Sequence, residues 1–186
     1  MTQSDPTRST PQPIELSATQ AAELIHRELQ KATDSLAASD PDRAIDALVR
    51  ALGLALQLGP APMEQALRST IDAGIHLSEA QDTDALSALG PALVGLVARV
   101  RDAGALPATP TMDAWATVAS DIGALIGQAG LVLTLPPERR ARMLGHGRAQ
   151  AQLLDDATGG IFALTPWLEQ LARSSLQQLR DSGLPG

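Results

Sequence analysis

The first residues whose types and spacing could do chemistry are Glu23 and His26, in the string Glu23-Leu24-Ile25-His26. An E-x-x-H spacing sets a carboxylate and an imidazole together on one helix, as carboxylate-rich metal bundles do. Asp72 and His76 make a second acid–imidazole pair one helical turn apart. Direction argues against both. At about 100° per residue, Glu23 lies roughly 140° from the centre of the apolar stripe of its helix. Asp72 and His76 lie roughly 160° from the stripe of theirs. Ligands of a bundle-core metal project inward, whereas these face water, so no metal site and no cofactor is expected. Met143 and His146 have a spacing that could serve copper or haem iron. Without a second pair of soft ligands, the methionine is expected to fill core and the histidine to sit at its boundary.

The only basic cluster is Glu138-Arg139-Arg140-Ala141-Arg142 through Arg148. Cations near a helix start are mildly opposed by the helix dipole, and Arg139, Arg140 and Arg142 are therefore the candidate partner-binding residues. Gly90 and Gly95 interrupt one apolar helix, and Gly123, Gly127 and Gly130 another. Each costs about 1 kcal/mol against alanine inside a helix, which implies either close helix–helix approach or room for a ligand. A pocket lined by Trp115, Leu125, Phe162 and Trp167 is the ligand version of that idea. Asp155 and Asp156 are adjacent, so they point to different faces and do not form a shared acid–base pair on one helix. No nucleophile elbow, phosphate-binding loop or dinucleotide fingerprint occurs in the sequence. No catalytic residue is assigned.

The elements that must carry these residues are helical by composition. Hydrophobic residues are 44% of the 186 and are mainly Ala and Leu, with one Phe and no Tyr, which favours helix over sheet. A net charge of −7 with few aromatic rings is a poor match to phosphate backbones or stacked bases, so nucleic acid is not expected as a partner. The absence of cysteine removes disulfides, thiolate metal sites and thiol nucleophiles. The beginning of the sequence shows no apolar signal core. Its longest apolar run, Ile122 to Leu135, is shorter than the ~20 residues a bilayer-spanning helix needs. A cytoplasmic protein that does not enter a membrane is the expectation.

Residues 1–15 are rich in Ser, Thr, Pro and Gln and read as a disordered tail. Ser17-Ala18-Thr19-Gln20 then forms a capping box, opening a helix whose stripe is Ala22, Ile25, Leu29, Ala32 and Leu36. Asp40-Pro41 starts the second helix and Gly59-Pro60 stops it. The third presents Met63, Leu67, Ile71 and Gly74. Asp82 or Thr83 caps the fourth, which Pro91 should kink or break after Leu89. A linker at 104–110 precedes a fifth helix capped by Thr111. Pro136-Pro137 begins the sixth, Gly159-Gly160 ends it, and Thr165-Pro166 caps the seventh. The fold class is therefore all-α, about seven helices in antiparallel hairpins, forming a bundle or a short α-solenoid. Residues 16–183 make one helical domain, divisible at the linker into halves 16–104 and 111–183.

Residues 36–56 align without a gap on 77–97, with Leu36, Ala44, Ala47, Leu48, Ala51 and Leu52 matching Leu77, Ala85, Ala88, Leu89, Ala92 and Leu93. A period of about forty suits a repeated hairpin. The segment Ala44 to Pro60, AIDALVRALGLALQLGP, resembles the second helix of a tetratricopeptide repeat. That resemblance covers one helix, and implies a concave surface for peptides or partner proteins. Pro60 falls about one turn later than in the family, and the first helix lacks the family's aromatic and Leu-Gly pair. Two functions follow. One is a non-catalytic protein–protein interaction module, binding another protein or itself as a homodimer. The other is a small-molecule or enzyme domain with its pocket between the C-terminal helices, with Trp115, Phe162 and Trp167 as its candidate lining.

Overall fold

The computed structural model describes residues 16–183. Within them the chain forms seven α-helices and no strand: α1 (Ala18–Ala37), α2 (Pro41–Leu58), α3 (Pro60–Glu79), α4 (Thr83–Asp102), α5 (Pro110–Leu133), α6 (Pro137–Ala157) and α7 (Leu164–Asp181). The expected tail at 1–15 lies outside the described residues.

Local signals decide most helix starts. The Ser17 hydroxyl accepts from the Gln20 backbone N–H, and the Gln20 amide oxygen accepts from that of Ser17, completing the capping box. Asp40 and Asp82 each accept a hydrogen bond from the backbone N–H three residues on. Two caps differ from expectation. α5 is capped by Thr109, whose hydroxyl accepts from the Met112 N–H, with Pro110 at the first helical position. Threonine before proline is the stronger start because the ring needs no hydrogen-bond acceptor for its nitrogen. At α7 the N-cap is Ala163 in a left-handed conformation, and Thr165 does not cap.

On α1 the buried stripe is Ala21, Ile25, Leu29, Ala32 and Ser35, so Ala22 faces outward and Leu36 only half inward. Ser35 can occupy the core because its hydroxyl donates to the Lys31 carbonyl. α4 runs unbroken through Pro91. The proline lies on the exposed side of the helix, while Gly90 before it and Leu93 after it are held against α5.

That contact is the closest approach at any glycine among the described residues. A Cβ added to Gly90 would fall 2.4 Å from the Gly127 nitrogen and 2.5 Å from the Gly123 carbonyl oxygen, and one added to Gly130 would fall 2.8 Å from the Ser87 nitrogen. Gly90, Gly123, Gly127 and Gly130 therefore serve close helix packing and leave no room for a ligand between α4 and α5, whereas Gly95 meets only the Arg99 side chain. Arg101 fastens the ends of the pair, donating from Nη2 to the Asp113 carboxylate at 2.9 Å and to the Thr117 hydroxyl at 2.9 Å.

The closely packed pairs are α1–α2, α4–α5 and α6–α7, with α3 lying among α1, α2, α4 and α5. Buried side chains from all seven helices join in one hydrophobic cluster. The turns from α1 to α2 and from α3 to α4 share one hydrogen-bond pattern, with Ser39 and Gln81 left-handed. In that pattern Asp40 corresponds to Asp82, whereas the gapless alignment sets it against Gln81. α3 and α4 nevertheless pack sparsely on each other, since the glycine face of α4 turns to α5.

α4 and α5 are each long and apolar enough, by length and composition, to cross a membrane, with hydropathies of 1.3 and 1.5 over their most apolar windows. The run Ile122–Leu135 understated this, because α5 begins a dozen residues earlier. In this fold 39% and 56% of those windows are buried against other helices.

Candidate functional site

The sequence candidates separate into those that face water and those drawn into the bundle. Glu23, Asp72 and His76 are exposed, as their helical angles imply, and His26 is exposed as well. Among the described residues no three of His, Asp and Glu converge as metal ligands would. Met143 is 37% exposed and His146 is exposed, so the methionine does not fill core as expected. Its position on the helix puts it at the edge of a shallow crevice beside Gln128 and Val132.

The four residues proposed to line one pocket are divided. Trp115 and Phe162 meet edge to face, ring centres 6.3 Å apart at 84°, a favourable aromatic geometry. Leu125 is buried in the core. Trp167 is buried elsewhere, its indole N–H donating to the Ser78 hydroxyl of α3 at 3.3 Å. The four residues between Phe162 and Trp167 include the left-handed Ala163, which turns the chain between them and aims the two rings at different neighbours.

The basic cluster also splits. Arg139 and Arg142 are exposed, and neither has a carboxylate within 4.0 Å among the described residues. Arg140 turns inward. Its Nε donates to the Leu135 carbonyl at 2.6 Å, and Nη1 donates to the Gln178 amide oxygen at 3.1 Å. Arg148, further along α6, pairs with Glu169 of α7 at 2.8 Å.

Asp155 has a structural task that its sequence neighbourhood did not announce. It is 8% exposed. Its two oxygens accept from the backbone N–H groups of Leu164 and Thr165, at 2.9 and 2.8 Å. A carboxylate from α6 thus caps α7 across the glycine turn, in place of the missing local cap. Asp156 points away and accepts from Gln152.

Three larger depressions stand out among the described residues. The largest, about 1040 Å³, runs along the exposed face of α1 and the start of α2. Among the described residues it has no opposing wall, and its charges are of both signs. The second, about 310 Å³, is a groove between α6 and α7 with a floor of Leu144, Gly145, Leu168, Ala172 and Leu176 and a rim of Arg148, Glu169 and Arg173. The third, about 300 Å³, lies on another side of α7 and holds Arg140, Trp167 and Gln178. Comparison of the chain with family models, curated proteins and solved structures finds no match.

Proposed function

We propose that the protein is a non-catalytic protein–protein interaction module, and that the groove between α6 and α7 receives an amphipathic helix with an acidic flank. One observation carries this: an apolar floor edged by two arginines that share a single carboxylate. Glu169 sits 2.8 Å from Arg148 and 3.8 Å from Arg173, so the rim is net positive on a chain of net charge −7. Leu176 is 43% exposed at the end of the floor, and a Cβ on Gly145 would meet nothing within 4 Å. An incoming helix can therefore approach α6 closely and bury leucine side chains, the usual geometry of helix-in-groove recognition. Exposed Arg139 and Arg142, earlier on α6, do not line the groove, so the steering of an acidic partner rests on Arg148 and Arg173.

The test is photo-crosslinking in the native cells from p-benzoylphenylalanine placed at Leu176, with Gln57 on the far surface of α2 as the control position. We expect one heterologous partner, crosslinked through an amphipathic helix bearing Asp or Glu along one edge. The crosslink should vanish in the Arg148→Glu, Arg173→Glu double variant while its circular dichroism is unchanged. Capture of a second copy of the chain, equal crosslinking from position 57, or persistence in the double variant overturns the proposal.

A further inference from the structure

The cleft on the other side of α7 shares no residue with the groove, and it presents different chemistry. Its walls are Ile75 from α3, Leu133 from the end of α5, and Trp167 and Leu171 from α7. At one edge stands Arg140. Bonds to the Leu135 carbonyl and the Gln178 amide oxygen fix its guanidinium from two directions. Both of those acceptors are neutral. Among the described residues no carboxylate comes within 4.0 Å of it and Nη2 finds no acceptor. Glu79 lines the same cleft without forming an ion pair.

A guanidinium orients its donors in a planar fork matched to a carboxylate. Held in place before any ligand arrives, it loses little further freedom on binding. Beside it, the Trp167 ring is locked by its own bond to Ser78, whose hydroxyl donates in turn to the Ile75 carbonyl at 2.7 Å. The cleft therefore combines one oriented guanidinium, with no carboxylate within 4.0 Å, with the exposed edges of Ile75, Trp167 and Leu171 among serine and glutamine side chains, in a volume of about 300 Å³, the lower end for small-molecule sites. From this we infer that the cleft binds a small monocarboxylate with a planar or branched apolar body. The carboxylate lies on the Nη2 side of Arg140 and the body against Trp167 and Leu171. This site does not depend on the α6–α7 groove having a partner.

Trp167 supplies the readout. Benzoate serves as the probe, with benzamide as its neutral analogue and inorganic phosphate as an anion lacking the apolar body. The two indole N–H signals of the full chain are followed by nitrogen–proton NMR, assigned with Trp115→Phe. Benzoate should move the Trp167 signal saturably and leave that of Trp115 in place, with benzamide and phosphate binding at least tenfold more weakly. Arg140→Gln should weaken benzoate at least tenfold, while Arg139→Gln should not. Because Arg140 also ties α6 to Leu135 and Gln178, a second variant leaves it untouched: Ser174→Phe, at an exposed position on the cleft rim, should abolish the shift by filling the space. No saturable Trp167 shift at millimolar benzoate, a shift that survives Ser174→Phe, or phosphate binding as tightly as benzoate would each overturn the inference.

Discussion

At the scale of single residues, Asp155 carries the most structural consequence. Helix starts leave backbone N–H groups unbonded, and α7 begins at a left-handed alanine that has no side-chain acceptor. The Asp155 carboxylate satisfies two of those groups from the preceding helix. Removing it leaves buried donors unpaired, at about 1–3 kcal/mol each. Asp155→Ala should therefore lower the unfolding free energy by about 2–4 kcal/mol in urea denaturation. Thr165 looked like the cap in the sequence, yet its hydroxyl is buried with no hydrogen-bond partner. Thr165→Val should cost less than about 1 kcal/mol, because it removes a polar group that gains nothing in the fold. Were the two variants to show the reverse order, the capping assignment would be wrong.

At the scale of elements, Gly90, Gly123 and Gly130 at the α4–α5 contact differ in kind from the glycines elsewhere. Gly90 faces backbone atoms of α5 that cannot step aside, so a methyl group there must push two helices apart. Gly90→Ala should destabilise by about 3 kcal/mol or more, at the upper end for overpacking. Gly145 on α6 has open space around it, and Gly145→Ala should stabilise by about 1 kcal/mol through helix propensity alone. Thermal melts of the two variants, read against the parent, check both signs together. Element starts were legible where the signal was local: Ser17 with Gln20, Asp40 with Pro41, Asp82 three residues before Ala85. The cap of α5 slipped from Thr111 to Thr109 because two Thr residues flank Pro110 and only the ring decides between them. The α7 cap was not legible, since its acceptor lies nine residues upstream across a turn.

At the scale of the whole molecule, one apolar cluster takes side chains from every helix. The linker at 103–109 is bridged by Arg101 reaching from α4 to Asp113 and Thr117 of α5. The halves 16–104 and 111–183 should accordingly unfold together. Helical ellipticity and tryptophan fluorescence should report one coincident transition. Two resolved transitions would show that the halves are independent. Fluorescence is well placed to decide this, because Trp115 meets Phe162 from the turn before α7 and Trp167 bonds Ser78 of α3.

Composition and period by themselves determined that the chain is helical, how many helices it has and where most begin. Those properties follow from interactions within four residues along the chain. Sequence angles also turned Glu23, Asp72 and His76 outward, because a helix fixes the direction of each side chain. Which faces meet was decided only by the tertiary structure. Gly90 pairs with Gly123 and Gly127 because those backbones can touch, and that draws α4 to α5 instead of to α3. Arg140 leaves the arginine cluster for the cleft because the Leu135 carbonyl and Gln178 lie within its reach, five and thirty-eight residues away in the chain. Trp167 parts from Phe162 because a left-handed alanine turns the chain between them. Each of these outcomes depends on contacts between distant segments, which periodicity along one helix does not encode.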